Sequence, residues 1–350
     1  MVIMRQIDEK AIVSIDALPK QLQQSYEESQ LISVPDEYKK VKNIVVCGMG
    51  GSRFPALIIM QLFKTKLRIP IVVNDDYHLP GFVNEETLVI LSSYSGTTEE
   101  IITVGKEAKG KKAKLTGLCA GGDIASFLKS ENAPMYVFDP IHNPSGQPRI
   151  GFGYTVGGIL GLLVAFGFLS EVKNDITQAI ENLPSLLKPF GFDQPKEQNP
   201  AKQLADQLHE TYPYYVVSEH LTGVGNSIAN QTNETAKAIS SFRVIPELNH
   251  HLMEGLKHPT ELKKLARFVF FYSKNYSTPI QKRFQITKDV VEQNNIKTVW
   301  YELKGTTNVE QVFELMGLGS YLSMYLSTLY DEDPTVIPYV DYFKEQLKKS

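Results

Sequence analysis

The 350-residue chain carries only two cysteines, Cys47 and Cys119. A disulfide framework is excluded, and an intracellular, cytoplasmic protein is the simpler expectation. Charge of one sign is also missing: 36 Lys and Arg stand against 39 Asp and Glu, a formal net charge of −3. Non-specific nucleic-acid binding normally leaves a basic footprint, so no nucleic-acid partner is expected. The opening MVIMRQIDEK lacks the apolar stretch of a secretory signal. Two nucleotide motifs are absent too. CGMGGSRF (47–54) has Arg53 where GxGxxG needs glycine, and no GK[ST] follows to make a P-loop.

Long charge-free runs are scarce; the notable one is IGFGYTVGGILGLLVAFGFLS (150–170), with Gly157 and Gly161 spaced as GxxxG. A membrane span needs about 20 helical residues. A helix starting near Tyr154, with Gly151 and Gly153 in the loop before it, has only about 16. A buried core helix, and no membrane partner, is the expectation.

Hydrophobic residues make up 42% of the chain, enough to bury the cores of two domains. Residues 12–26 read as helical, with Pro19 as a break or start. Short apolar runs at 43–48, 68–74, 87–93, 113–120 and 134–139 alternate with helix patterns at 55–63, 99–109 and 123–129. That alternation predicts a parallel sheet covered on both faces. The segment 183–200, rich in proline and polar residues, reads as a linker. Strand patterns return at 212–219, 267–273 and 297–303, with helices at 226–238, 281–294, 309–330 and 339–348. The expectation is α/β: two doubly wound αβα domains, each with a mainly parallel sheet, over 1–170 and 201–350, joined by a helix and linker at 171–200.

The densest chemistry lies in LVILSSYSGTTEEIITVGKEAKG (88–110), where hydroxyls crowd the turn from a strand into a helix. Thr97 with Glu100 fits a capping box, which explains one threonine and one glutamate. The remaining hydroxyls point to an anion cradle. A helix N-terminus offers unpaired N–H groups and partial positive charge, and glycine lets backbone come close to a ligand. The place is right as well, outside the carboxyl end of a parallel strand. The loop after the first strand, with Gly50, Gly51 and Ser52, faces the same edge.

GMGGS (48–52) followed by SYSGTTE (93–99) resembles the sugar isomerase (SIS) domain, which binds phosphosugars. QPRIGFGY (147–154), NETAK (233–237) and PELNHH (246–251) further resemble the bifunctional phosphoglucose/phosphomannose isomerases. The resemblance implies two SIS-type domains, a phosphosugar substrate, no cofactor or metal, and a homodimer whose active site is shared between subunits. It implies that Gly50, Gly51, Ser52, Ser93, Ser95, Thr97 and Thr98 hold the sugar and its phosphate. Glu234 is then the catalytic base, Arg149 sits beside the reacting carbons, and Lys344 helps at the ring. His250 is the ring-opening histidine, supplied from the other subunit. Thr97 stands where the family usually has Asn, Arg53 where a small residue is usual, and His251 is an added histidine.

The chemistry is coherent on its own terms. Isomerisation of an aldose to a ketose moves a proton between C1 and C2, which a carboxylate does. A guanidinium stabilises the enediolate, and a histidine serves the ring oxygen. Simpler roles remain open at this point: Glu234 as a surface carboxylate, Arg149 paired with Asp139, Lys344 on a solvated face beside Lys348 and Lys349. His250, Glu254 and His258 are spaced i, i+4, i+8, but Gly255 and Pro259 interrupt the helix that a zinc site would need. A non-catalytic sugar-phosphate regulator, or another SIS-type phosphosugar isomerase, are the alternative functions.

Overall fold

Strands covered on both faces need apolar residues at successive positions, and the first sheet has them. In the computed structural model, which describes residues 8–349, two helices come first: α1 (Glu9–Asp16) and α2 (Leu18–Ser29), with Pro19 in the first turn of the second. The opening stretch through Ile7, read above for a signal, lies outside the described residues. Then follow β1 (Asn43–Gly48), α3 (Phe54–Leu62), β2 (Ile71–Asn74), β3 (Thr87–Ser92), α4 (Glu99–Gly110), β4 (Lys114–Cys119), α5 (Gly122–Ser130) and β5 (Met135–Val137). The five strands are all parallel, in the order β2-β1-β3-β4-β5. The order reverses between β1 and β3, and this switch point is where ligands bind in open α/β sheets.

Three helices lead to the second sheet: α6 (Phe152–Ala165), α7 (Lys173–Leu187) and α8 (Pro200–Leu208). The segment read as a linker is packed instead. α7 runs through Pro184 to Leu187, short 3₁₀ turns follow, and Leu183, Leu187 and Phe190 are buried. The second unit contains β6 (Tyr212–Ser218), α9 (Thr222–Thr235), β7 (Ser241–Ile245), α10 (Leu248–His251), α11 (Leu262–Leu265), β8 (Ala266–Tyr272), α12 (Thr278–Gln293) and β9 (Lys297–Glu302). It closes with α13 (Asn308–Leu329) and α14 (Pro338–Leu347). Its strands are parallel in the order β7-β6-β8-β9. β7 was not legible beforehand: it is a half-buried edge strand, SFRVI, whose Ser and Arg dilute the apolar pattern.

One continuous hydrophobic core runs through both units, and a smaller one lies beneath α4 and α5. α13 is the central pillar, buried from Val309 to Ser327 and packed on α7, α8 and α9. The capping box that does form is here: Thr307 accepts from Glu310 N, while the Glu310 carboxylate accepts from Thr307 N.

α6 is 14 residues long, about 21 Å, against about 30 Å of hydrocarbon in a bilayer. Among the described residues no single helix is long and apolar enough to cross a membrane; α6 and 170–190 pass jointly by composition but are bent by 119°. The GxxxG serves helix packing. A Cβ on Gly157 would stand 2.6 Å from Leu22 O, and one on Gly161 2.5 Å from Tyr26 O, both backbone atoms of α2. Gly161→Ala is therefore expected to cost about 1–3 kcal/mol through overpacking, read as a lower Tm. An unchanged melting curve would mean that α2 shifts freely.

Candidate active site

Two loops meet at the switch point. The first, after β1, turns through Gly50 at φ +50° and a 3₁₀ turn, Gly50–Ser52. The second is the hydroxyl loop after β3. They are stitched together: Ser92 Oγ donates to Ser52 O at 2.8 Å, and Tyr94 N donates to Ser52 Oγ at 3.0 Å. Within the second loop, Ser93 Oγ bonds Thr98 Oγ1 at 2.8 Å and accepts from Gly96 N at 3.0 Å. Ser95 Oγ bonds Thr97 Oγ1 at 3.0 Å. Ser52 and Ser93 are buried framework, Ser95 and Thr97 are exposed, and Thr98 is half-buried.

Two sequence expectations change here. Thr98, not Thr97, is the N-cap of α4, and no side chain caps the helix. The capping box is not formed because the threonine hydroxyls turn to Ser93 and Ser95. Gly96, at φ +76°, has a closer reason than ligand access: a Cβ there would overlap the carbonyl oxygen of Gly121.

A chain of hydrogen bonds leads from this loop to Arg149. Asn143 Nδ2 donates to Tyr94 OH at 2.6 Å and to Gln147 O at 3.1 Å. Arg149 Nη1 donates to Gln147 Oε1 at 3.0 Å and to Glu234 Oε1 at 3.3 Å. Arg149 Nη2 donates to Pro334 O at 2.6 Å and Thr335 O at 2.8 Å. Nε is buried with no hydrogen-bond partner among the described residues. Of five guanidinium donors, four are engaged and one is left. Arg149 thus pairs with Glu234, 85 residues away at the end of α9, and not with Asp139.

Burial pushes the Arg149 guanidinium downward, and Glu234, Asp333 and Asp341 oppose it. An arginine starts so far above neutrality that it stays a cation. The pair is asymmetric: the Arg149 side chain is 3% exposed and that of Glu234 38%. A carboxylate that is both held and open is what a proton shuttle needs. α9 is set against the first unit by α3: a Cβ on Gly223 would meet Leu57 O and Ile58 Cα.

Among the described residues, the carboxyl edge of the second sheet has no comparable cradle. Glu219 accepts from Ser277 N and Oγ just before α12, and Glu314 accepts from Lys304 N and Gly305 N after β9. These donors are filled by the chain's own carboxylates.

Comparison with known proteins gives this geometry a family. Residues 37–129 match the SIS domain model, and 197–347 match the bacterial phospho-glucose isomerase C-terminal SIS domain. The chain is 33% identical to the bifunctional phosphoglucose/phosphomannose isomerase of Caldicellulosiruptor bescii, covering 95% of this chain and 98% of that one. It is 26% identical to the protein of that name from Aquifex aeolicus, over 93% and 96%. The chain belongs to the bifunctional phosphoglucose/phosphomannose isomerase family.

In fold, this bifunctional isomerase family member is also similar to the C-terminal domain of glucosamine-fructose-6-phosphate aminotransferase from Francisella tularensis. The TM-score is 0.75 at 11% identity, over 93% of this chain and 97% of that one. Two residues marked by the resemblance stand apart from the Arg149 network among the described residues. His250 is exposed on α10, and Lys344 is exposed on α14, a helix with no buried residue. Arg53 turns to Asp75, its Nε 3.1 Å from Oδ2. His251 faces Glu247 at 3.2 Å. His250, Glu254 and His258 do not share a helical face: α10 stops at His251, a 3₁₀ turn covers Glu254–Lys257, and His258 is extended. Sequence reading missed Tyr94, Asn143 and Lys237 as network members, although Tyr94 and Lys237 lie within the motifs singled out.

Proposed function

We propose that this chain is an aldose–ketose isomerase interconverting glucose-6-phosphate and mannose-6-phosphate with fructose-6-phosphate. The observation that carries the reading is the Arg149–Glu234 contact, joined to the hydroxyl loop through Gln147, Asn143 and Tyr94. In this reading the phosphate sits on Ser95, Thr97, Thr98 and the N-terminus of α4, framed by Gly50, Gly51, Ser52 and Ser93. Glu234 takes the C2 proton of the aldose and returns it to C1. Arg149 opposes the negative charge of the enediolate through its cationic charge, held in line with Glu234. Glucose- and mannose-6-phosphate differ at C2 and give the same enediol once C2 is deprotonated; their C2 hydrogens lie on opposite faces, so one base serves both when the bound sugar rotates about C2–C3.

The exposed position of His250 suits a residue offered to a second subunit, so the active protein is taken as a homodimer in which His250 opens the ring in the partner's site. Lys344 is assigned to the ring as well, on the resemblance alone. The test is a coupled assay of each aldose phosphate, following fructose-6-phosphate. Turnover of both is expected. No turnover, with fructose-6-phosphate still raising Tm, would replace the enzyme by a sugar-phosphate regulator.

A further inference from the structure

Arg149 does not hold its place alone. The segment between α13 and α14 passes across it, and three successive carbonyls of that strap face two cations. Lys237 Nζ donates to Asp333 O at 2.5 Å, while Arg149 Nη2 takes Pro334 O and Thr335 O. The strap is stiffened from within: the Asp333 carboxylate accepts from Thr335 N at 2.8 Å and Thr335 Oγ1 at 2.6 Å. Such a turn fixes the local backbone through a side-chain hydrogen bond two residues on.

We propose that Lys237 is a positioning residue, which anchors the strap from the second unit so that the strap can hold the Arg149 guanidinium in line with Glu234.

The simpler account makes Lys237 a cation at the end of α9, where its ammonium also reaches Thr235 O at 3.2 Å. Three observations go beyond that. The contact with Asp333 O is shorter and bridges 96 residues. Lys237 adopts φ +55°, a left-handed conformation uncommon for a side chain of this kind, which directs the chain out of the helix. And it is half-buried next to a second cation, which costs energy unless acceptors surround both. Burial and the charge of Arg149 push the ammonium down; Asp333, Glu332 and Glu234 hold it up. The strap supplies each cation with its own carbonyls, Asp333 O to Lys237 and Pro334 O and Thr335 O to Arg149.

The role rests on the isomerase reading, and the test separates the two. Wild type, Lys237→Met and Lys237→Arg are assayed as purified full-length protein with fructose-6-phosphate. Binding of a phosphorylated aldonic acid, an enediolate mimic, is measured alongside. Lys237→Met is expected to lower kcat roughly 10–100-fold, since a misplacement of about 1 Å has that effect. KM should stay within about threefold, and the mimic should weaken in step with kcat. Lys237→Arg, which reaches the same carbonyl as a cation, should recover most of the loss. Lys237→Met within about twofold of wild type, or a raised KM at unchanged kcat, would overturn the role. So would a folded Lys237→Arg protein whose kcat falls roughly tenfold or more below wild type, and this arm still decides if the methionine variant does not fold. A wild type without turnover would instead remove the isomerase reading, and this role with it.

Discussion

Replacing Glu234 by glutamine is expected to lower kcat by roughly 10²–10⁴-fold while changing KM for fructose-6-phosphate less than about threefold. The substitution is well matched to the question. Glutamine keeps an oxygen that accepts from Arg149 Nη1, now at 3.3 Å, and keeps the shape of the side chain. It removes the ability to take a proton. Stability should change by about 1 kcal/mol or less, because the carboxylate is 38% exposed and solvent screens the pair. Steady-state rates in both directions and a melting curve check this. A variant that keeps more than about a tenth of wild-type kcat would remove Glu234 from the role of base and leave it as the counter-ion of Arg149.

The sequence showed some of this arrangement and concealed the rest, for physical reasons. NIVVCG and TLVILSS announce β1 and β3 because strands buried on both faces must be apolar throughout. SFRVI did not announce β7, because an edge strand with one open side tolerates Ser241 and Arg243. Prolines and charges between 183 and 200 hid a helical spacing of Leu183, Leu187 and Phe190 that is buried. The hydroxyl loop was legible as a strand-to-helix turn, but the direction of each hydroxyl was not. Thr97 and Thr98 choose between capping α4 and bonding to Ser95 and Ser93, and the two options differ by little energy. Glu234 and Arg149 stood out through their motifs. Their contact did not, since no periodicity spans 85 residues and two sheets. The strap was least visible of all, because what it contributes is backbone oxygen at Asp333, Pro334 and Thr335, and every residue has one.

The strap makes Arg149→Lys a damaging change in a different way from Glu234→Gln. A guanidinium presents five donors in a fixed fork; lysine concentrates three on one atom. At Arg149 the fork faces Gln147 and Glu234 with one nitrogen and Pro334 O and Thr335 O with the other. A single ammonium cannot serve both sides. If it follows Glu234, the carbonyl of the buried Pro334 loses its donor, at a cost of about 1–3 kcal/mol. If it follows the strap, Glu234 loses its cation and the enediolate its support, which is worth roughly 10²–10³ in rate. Arg149→Lys should therefore either melt several degrees lower or lose about that much in kcat/KM, according to the side the ammonium follows, whereas Glu234→Gln loses rate alone. Because the two residues act as one unit, the double variant should be little slower than the worse of the singles. Multiplying losses would mean that Arg149 and Glu234 act on the substrate independently, and that their contact is only a resting arrangement.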